Sequence, residues 1–107
     1  MTDFHLSRSA ALILQTIADG YGYGFDIMDA TGLPSGTVYP ALRRMEAAGL
    51  ILSQWEDAVV AQREQRPLRK YYALTKLGRH TLADVAARYR LTDPAPARRP
   101  RPFPAKS

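Results

Sequence analysis

The side chains able to do chemistry in this chain are chiefly arginines and tyrosines. Cysteine is absent, which removes disulfides, thiolate metal sites and a catalytic thiol. His5 and His80 are far apart in sequence, and no nucleophile elbow, metal-ligand cluster or phosphate loop accompanies them. Gly20-Tyr21-Gly22-Tyr23-Gly24 invites comparison with a dinucleotide loop, but its spacing is wrong and it follows a helical pattern, so a flexible inter-helix turn is expected. Asp26 and Asp29 lack a third ligand nearby and read as solvated or capping carboxylates. No catalytic residue, metal ligand or cofactor is therefore expected. The chemistry that remains lies in Ser35, Gly36, Thr37, Tyr39, Pro40, Arg43 and Arg44. Together they make a surface that is slim at its leading end and bears a phenol and two guanidiniums. Arginine can bridge O6 and N7 of guanine, and hydroxyl and guanidinium groups hold phosphate, so this surface suits the major groove of duplex DNA.

A helix must carry those residues. Val38, Ala41, Leu42, Met45 and Ala48 share one apolar face, which turns Tyr39, Pro40 and Arg43 outward with Thr37 and Arg44 on the flank. Pro40 is tolerated best in the first turn, so the regular helix is expected to start near Thr37 and to stop at Gly49. Two helices precede it. Leu6, Ala10, Ile13, Leu14 and Ile17 recur at helical spacing over Leu6–Asp19, and a short helix runs from Tyr23 or Gly24 to Thr31. Helix, turn and outward helix form the unit used by many DNA readers.

After Gly49 the period changes to that of strands. Leu50–Glu56 and Leu68–Leu74 read as an antiparallel pair, joined by a long basic loop, Asp57–Pro67. From Arg63 to Arg79 the basic residues are Arg63, Arg66, Arg69, Lys70, Lys76 and Arg79, against the single acid Glu64. The fold expected is mainly α with a two-stranded β wing, a winged helix-turn-helix, and the wing should touch phosphate or the minor groove. Tyr71 and Tyr72 should point to opposite sides, so one hydroxyl is expected outside as a phosphate donor. Trp55 can stack on a base or a planar ligand, but on so small a sheet a core or pocket-edge position is favoured. Thr75 caps a last helix, Lys76–Leu91, about 24 Å long, whose stripe of Leu82, Val85, Ala86 and Tyr89 should pair two copies of the chain.

The bulk properties agree. One domain of 107 residues carries a formal charge of +5 and a mean hydropathy of −0.29. Arg98, Arg99, Arg101, Lys106 and Asp93 account for +3 of that charge, so residues 1–92 are only mildly basic. The organisation expected is a DNA-binding domain over 1–75, a dimerisation helix over 76–91 and a disordered Pro/Arg-rich tail over 92–107. No stretch reaches the ~20 apolar residues of a membrane span, and a cytoplasmic protein is expected.

With these segments placed, the chain resembles the PadR family of bacterial transcriptional regulators. The resemblance rests on Tyr23-Gly24-Phe25-Asp26-Ile27, on Gly36–Glu46 with Gly49-Leu50-Ile51, and on Arg69–Thr75 with Gly78. Pro34-Ser35 departs from the serine-then-proline order common in that family. The single short C-terminal helix places the chain with the compact subfamily. The resemblance implies a homodimeric repressor that binds a palindromic operator and releases it when an effector binds. It also implies Thr37, Tyr39 and Arg43 near DNA, with Lys70 and the wing close by. Some compact members bind flat, apolar drugs at the dimer interface, which makes Trp55 and Tyr89 candidate ligand contacts here. Two other readings compete: a winged-helix module that binds protein without an operator, and a sensor of planar aromatics.

Overall fold

The computed structural model describes residues 6–89, and the expectations for the N-terminal arm and the Pro/Arg-rich tail lie outside them. Among the described residues, five helices and two strands follow in the order α1 (Arg8–Ala18), α2 (Gly24–Thr31), α3 (Ser35–Ala47), β1 (Ile51–Trp55), α4 (Ala58–Arg63), β2 (Lys70–Leu74) and α5 (Lys76–Tyr89). Ser7 caps α1, its hydroxyl accepting from the Ala10 N–H at 3.1 Å. Buried Ala10, Ile13, Leu14 and Ile17 then meet Val38, Leu42 and Met45 of α3 in one core. Gly32, at φ 74°, closes α2 in the left-handed conformation that glycine reaches without strain.

The start of α3 differs from the expected one. It begins at Ser35 after Pro34, whose carbonyl accepts from both Thr37 and Val38. Pro40 is thus the sixth helical residue, where its missing N–H would have served the carbonyl of Gly36. Gly36 is exposed, so solvent reaches that carbonyl and the loss is softened. The end is as the sequence implies. Gly49 at φ 81° donates to Glu46, and Leu50 donates to Met45, the paired bonds of a glycine-terminated helix.

β1 and β2 pair antiparallel in a register that sets Ile51 opposite Leu74 and Trp55 opposite Lys70. A third, minimal strand lines the other edge of β2, where Tyr23 bridges Tyr71 and the Gly22 carbonyl accepts from Tyr72 at 2.9 Å. That contact explains one glycine of the Gly-Tyr-Gly-Tyr-Gly turn, since a Cβ on Gly22 would sit 2.7 Å from the Tyr72 carbonyl oxygen.

The connection between the strands is not an open loop. Asp57 caps a helical segment, accepting from Val59 at 2.9 Å, and Ala58–Arg63 forms α4 before Gln65 turns the chain at φ 55°. An aspartate ahead of Ala-Val-Val-Ala is a legible helix start, hidden in the sequence by the loop's basic residues.

α5 carries the expected stripe. Its stripe is spent on the chain's own core: Leu82 and Val85 are buried there, and Tyr89 is packed against the cluster. The Tyr89 hydroxyl donates to the Leu6 carbonyl at 2.7 Å, and Arg8 donates to the Tyr89 carbonyl at 3.3 Å. A domain this small needs that apolar face to complete its interior. Leu82 and Val85 are thus buried within a single copy.

Candidate nucleic-acid interface

α3 presents its N-terminal half and one flank to solvent because Val38, Ala41, Leu42 and Met45 hold the opposite side in the core. Pro34, Ser35 and Gly36 are exposed, and no side chain caps the first N–H groups. An uncapped helix start is electropositive and ready for an anion. Arg43 and Arg44 are exposed one turn and more further on. Thr37 and Pro40 are half-buried on the same side.

Tyr39 is less free than an outward position implies. Its ring packs against the core and lies over Gly24 of α2, where an added Cβ would be 2.5 Å from the phenol oxygen. Burial, then the neighbouring Tyr23, raise its ionisation above the ordinary 10.0, so the group stays a neutral hydrogen-bonding phenol. Tyr72 behaves alike. Burial raises its hydroxyl first, Glu46 and Tyr39 add to this, and Arg43 opposes them. Tyr39, Arg43, Glu46 and Tyr72 therefore form one neighbourhood between α3 and the wing.

The wing's basic residues separate into tied and open groups. Arg66 clamps Glu56 through two 2.7 Å hydrogen bonds, and this lowers the Glu56 carboxyl below its ordinary 4.5. Arg69 is stacked on Tyr23, 4.3 Å from the ring centroid, while its N–H donates to Glu56 at 3.2 Å. Lys70 stands near the rings of Trp55 and Tyr72. Arg63, at the end of α4, is exposed.

Two sequence expectations are corrected here. Tyr71 is buried along with Tyr72, at 7 % and 8 % exposure, so neither ring stands on the outer surface of the wing. Tyr71's side of the sheet is covered: the Tyr23 ring stacks 5.7 Å from it. Trp55 is 57 % exposed and does not close the core. Within one chain Trp55 stands beside Lys70, while Tyr89 is bonded to Leu6. The clamp between Glu56 and Arg66 was not anticipated, because a pair ten residues apart across a mixed loop leaves no periodic signal.

An open hollow of about 560 Å³ lies on α2, lined by Phe25, Asp26, Met28, Asp29, Gly32 and Leu33. It contains none of the expected contact residues. Among the described residues no group of three or more His, Asp or Glu is placed to hold a metal ion. No described helix is long and apolar enough to cross a membrane.

Helix-turn-helix, uncapped third helix and a two-stranded ribbon beside it define a winged-helix protein. A family comparison carries this one step further. The profile of the PadR-like family of transcriptional regulators matches residues 13–84, and the chain belongs to that family. Among solved structures, a PadR family transcription regulator from Clostridium difficile R20291 is 30% identical, with 78% of this chain and 88% of that chain covered at a TM-score of 0.67. A PadR family transcriptional regulator from Eggerthella lenta is 26% identical, covering 78% of this chain and 75% of that one at 0.59. The adhesin competence repressor of Streptococcus pyogenes shares the fold at 17% identity and a TM-score of 0.66, with 84% and 61% covered. No curated protein matches the chain.

Proposed function

We propose that the chain is a sequence-specific DNA-binding regulator, a homodimeric repressor that inserts two copies of α3 into successive major grooves of a palindromic operator. The observation that carries this is the exposed, uncapped start of α3 with Arg43 and Arg44 beyond it. Membership of a transcriptional regulator family supports the same reading. Ser35 and Gly36 approach the backbone with their N–H groups, Ser35 and Thr37 with their hydroxyls, and Arg43 or Arg44 reads base edges. Arg63 and Lys70 supply phosphate contacts from the wing. Arg66 and Arg69 hold the wing's shape through Glu56 and Tyr23. Regulation is by release, an effector lowering the operator affinity of the dimer.

Selection of bound duplexes from a random pool tests this reading. A palindrome with half-sites ~10 bp apart, centre to centre, is expected. Arg43→Ala should then cost ~1–3 kcal/mol and relax base choice at one position. Equal losses on every duplex would reduce Arg43 to a phosphate contact, and recovery of no duplex would favour the protein-binding module.

A further inference from the structure

Trp55 is the chain's sole tryptophan, and its exposed indole ends β1 on the face of the wing turned to α3. Side chains alternate along a strand, so Ser53 and Trp55 share a face with Lys70 and Tyr72 of β2. Ser53 donates to the Glu46 carboxylate at 2.6 Å, which fixes where that face meets α3. Tyr39, Arg43 and Glu46 stand four and three residues apart, in a single stripe along the helix. Ser53 meets Glu46, and Arg43 acts on the Tyr72 hydroxyl, so this face of the wing adjoins the turns of α3 that carry Arg43 and Glu46. Trp55 is the next residue after Ser53 on the same face.

Lys70 is the cross-strand partner of Trp55, its ammonium 5.7 Å from the indole centroid and 5.9 Å from that of Tyr72. Two rings thus steer one cation beside the arginine-bearing turn of α3. The neighbouring carboxylate of Glu56 falls on the opposite face, closed by Arg66. An apolar surface as large as an indole is poorly placed in water, and here it is continuous with a cationic face.

Resting on the DNA reading above, we infer that Trp55 and Lys70 form a second contact with the duplex, a shelf that receives the sugar–phosphate strand bordering the groove filled by α3. The Lys70 ammonium meets a phosphate oxygen, and the indole packs on the adjoining deoxyribose. The contact is blind to sequence and fixes how deeply α3 is seated.

The test uses the full chain and the duplex recovered by selection, or a mixed-sequence duplex of about two turns at low salt if none is recovered. On binding, the emission of Trp55 should shift to the blue and resist acrylamide quenching. Trp55→Ala should weaken binding about tenfold on all duplexes while the salt slope is kept, because no charge is removed. Lys70→Ala should lower that slope by about 1. Trp55→Phe should restore most of the affinity, and thermal melts of each variant should show the fold intact. If the duplex binds while Trp55 stays equally quenchable and Trp55→Ala binds as tightly as wild type, the shelf is refuted and the DNA reading stands. If no duplex binds at any salt, both are refuted.

Discussion

A methyl group added to Gly78 would run into the carbonyl oxygen of Leu50 and within 3.0 Å of the Leu74 side chain. That carbonyl already accepts from the Thr75 N–H at 3.0 Å, so it has no freedom to withdraw. Gly78→Ala should destabilise the domain by about 3 kcal/mol, read as a lower urea midpoint with an unchanged slope. Glu56 gives a prediction in pH. Its carboxyl is held below 4.5 mainly by hydrogen bonds from Arg66, against the cost of burial. A depressed acid stabilises the fold above its unfolded value, and that help is lost as pH falls through the folded value. Glu56→Gln should therefore be less stable than wild type at neutral pH, with the gap closing well below pH 4.5. A gap of constant size across that range would mean that the charge of Glu56 contributes nothing. Neither Gly78's crowding nor the Glu56 clamp could be foreseen, because both depend on residues far away in the chain.

At the scale of elements, periodicity revealed α1, α2, the apolar face of α3 and both strands, since each buries a repeating set of side chains. It did not decide where one pattern allowed two partners. The stripe of α5 suits a second copy as well as it suits α1, and only the size of the core decides between them. Leu82 is 9 % exposed within a single chain. Leu82→Ala should cost about 2–5 kcal/mol of folding stability, measured by denaturant titration. Loss of self-association with an unchanged unfolding curve would return the stripe to the dimer. The wing was misread in a related way: its basic composition signalled an open loop, while Asp57 had already begun α4. Composition also misplaced Trp55 and Tyr71, since alternation assigns a residue to a face but says nothing of what covers that face.

For the whole molecule, the candidate interface was legible to the extent that it lies on one helix. Ser35, Gly36, Arg43 and Arg44 are exposed because the opposite side of α3 is committed to the core. The wing's share was not legible, because stacking on Tyr23 and clamping by Glu56 divide a single basic run into structural and available groups. The Tyr89 hydroxyl, fastened to the Leu6 carbonyl, seals α5 against the start of α1 within one copy. Such a subunit can stay folded when diluted until it is alone, so in scanning calorimetry its melting temperature should fall with dilution only as far as the value of the single copy and then level off. A melting temperature that keeps falling on dilution, with no folded single copy left, would mean that folding and pairing are one event. If they are separate, occupancy of a two-fold operator by scarce subunits grows with the square of their number, and a modest change in synthesis becomes a steep change in control.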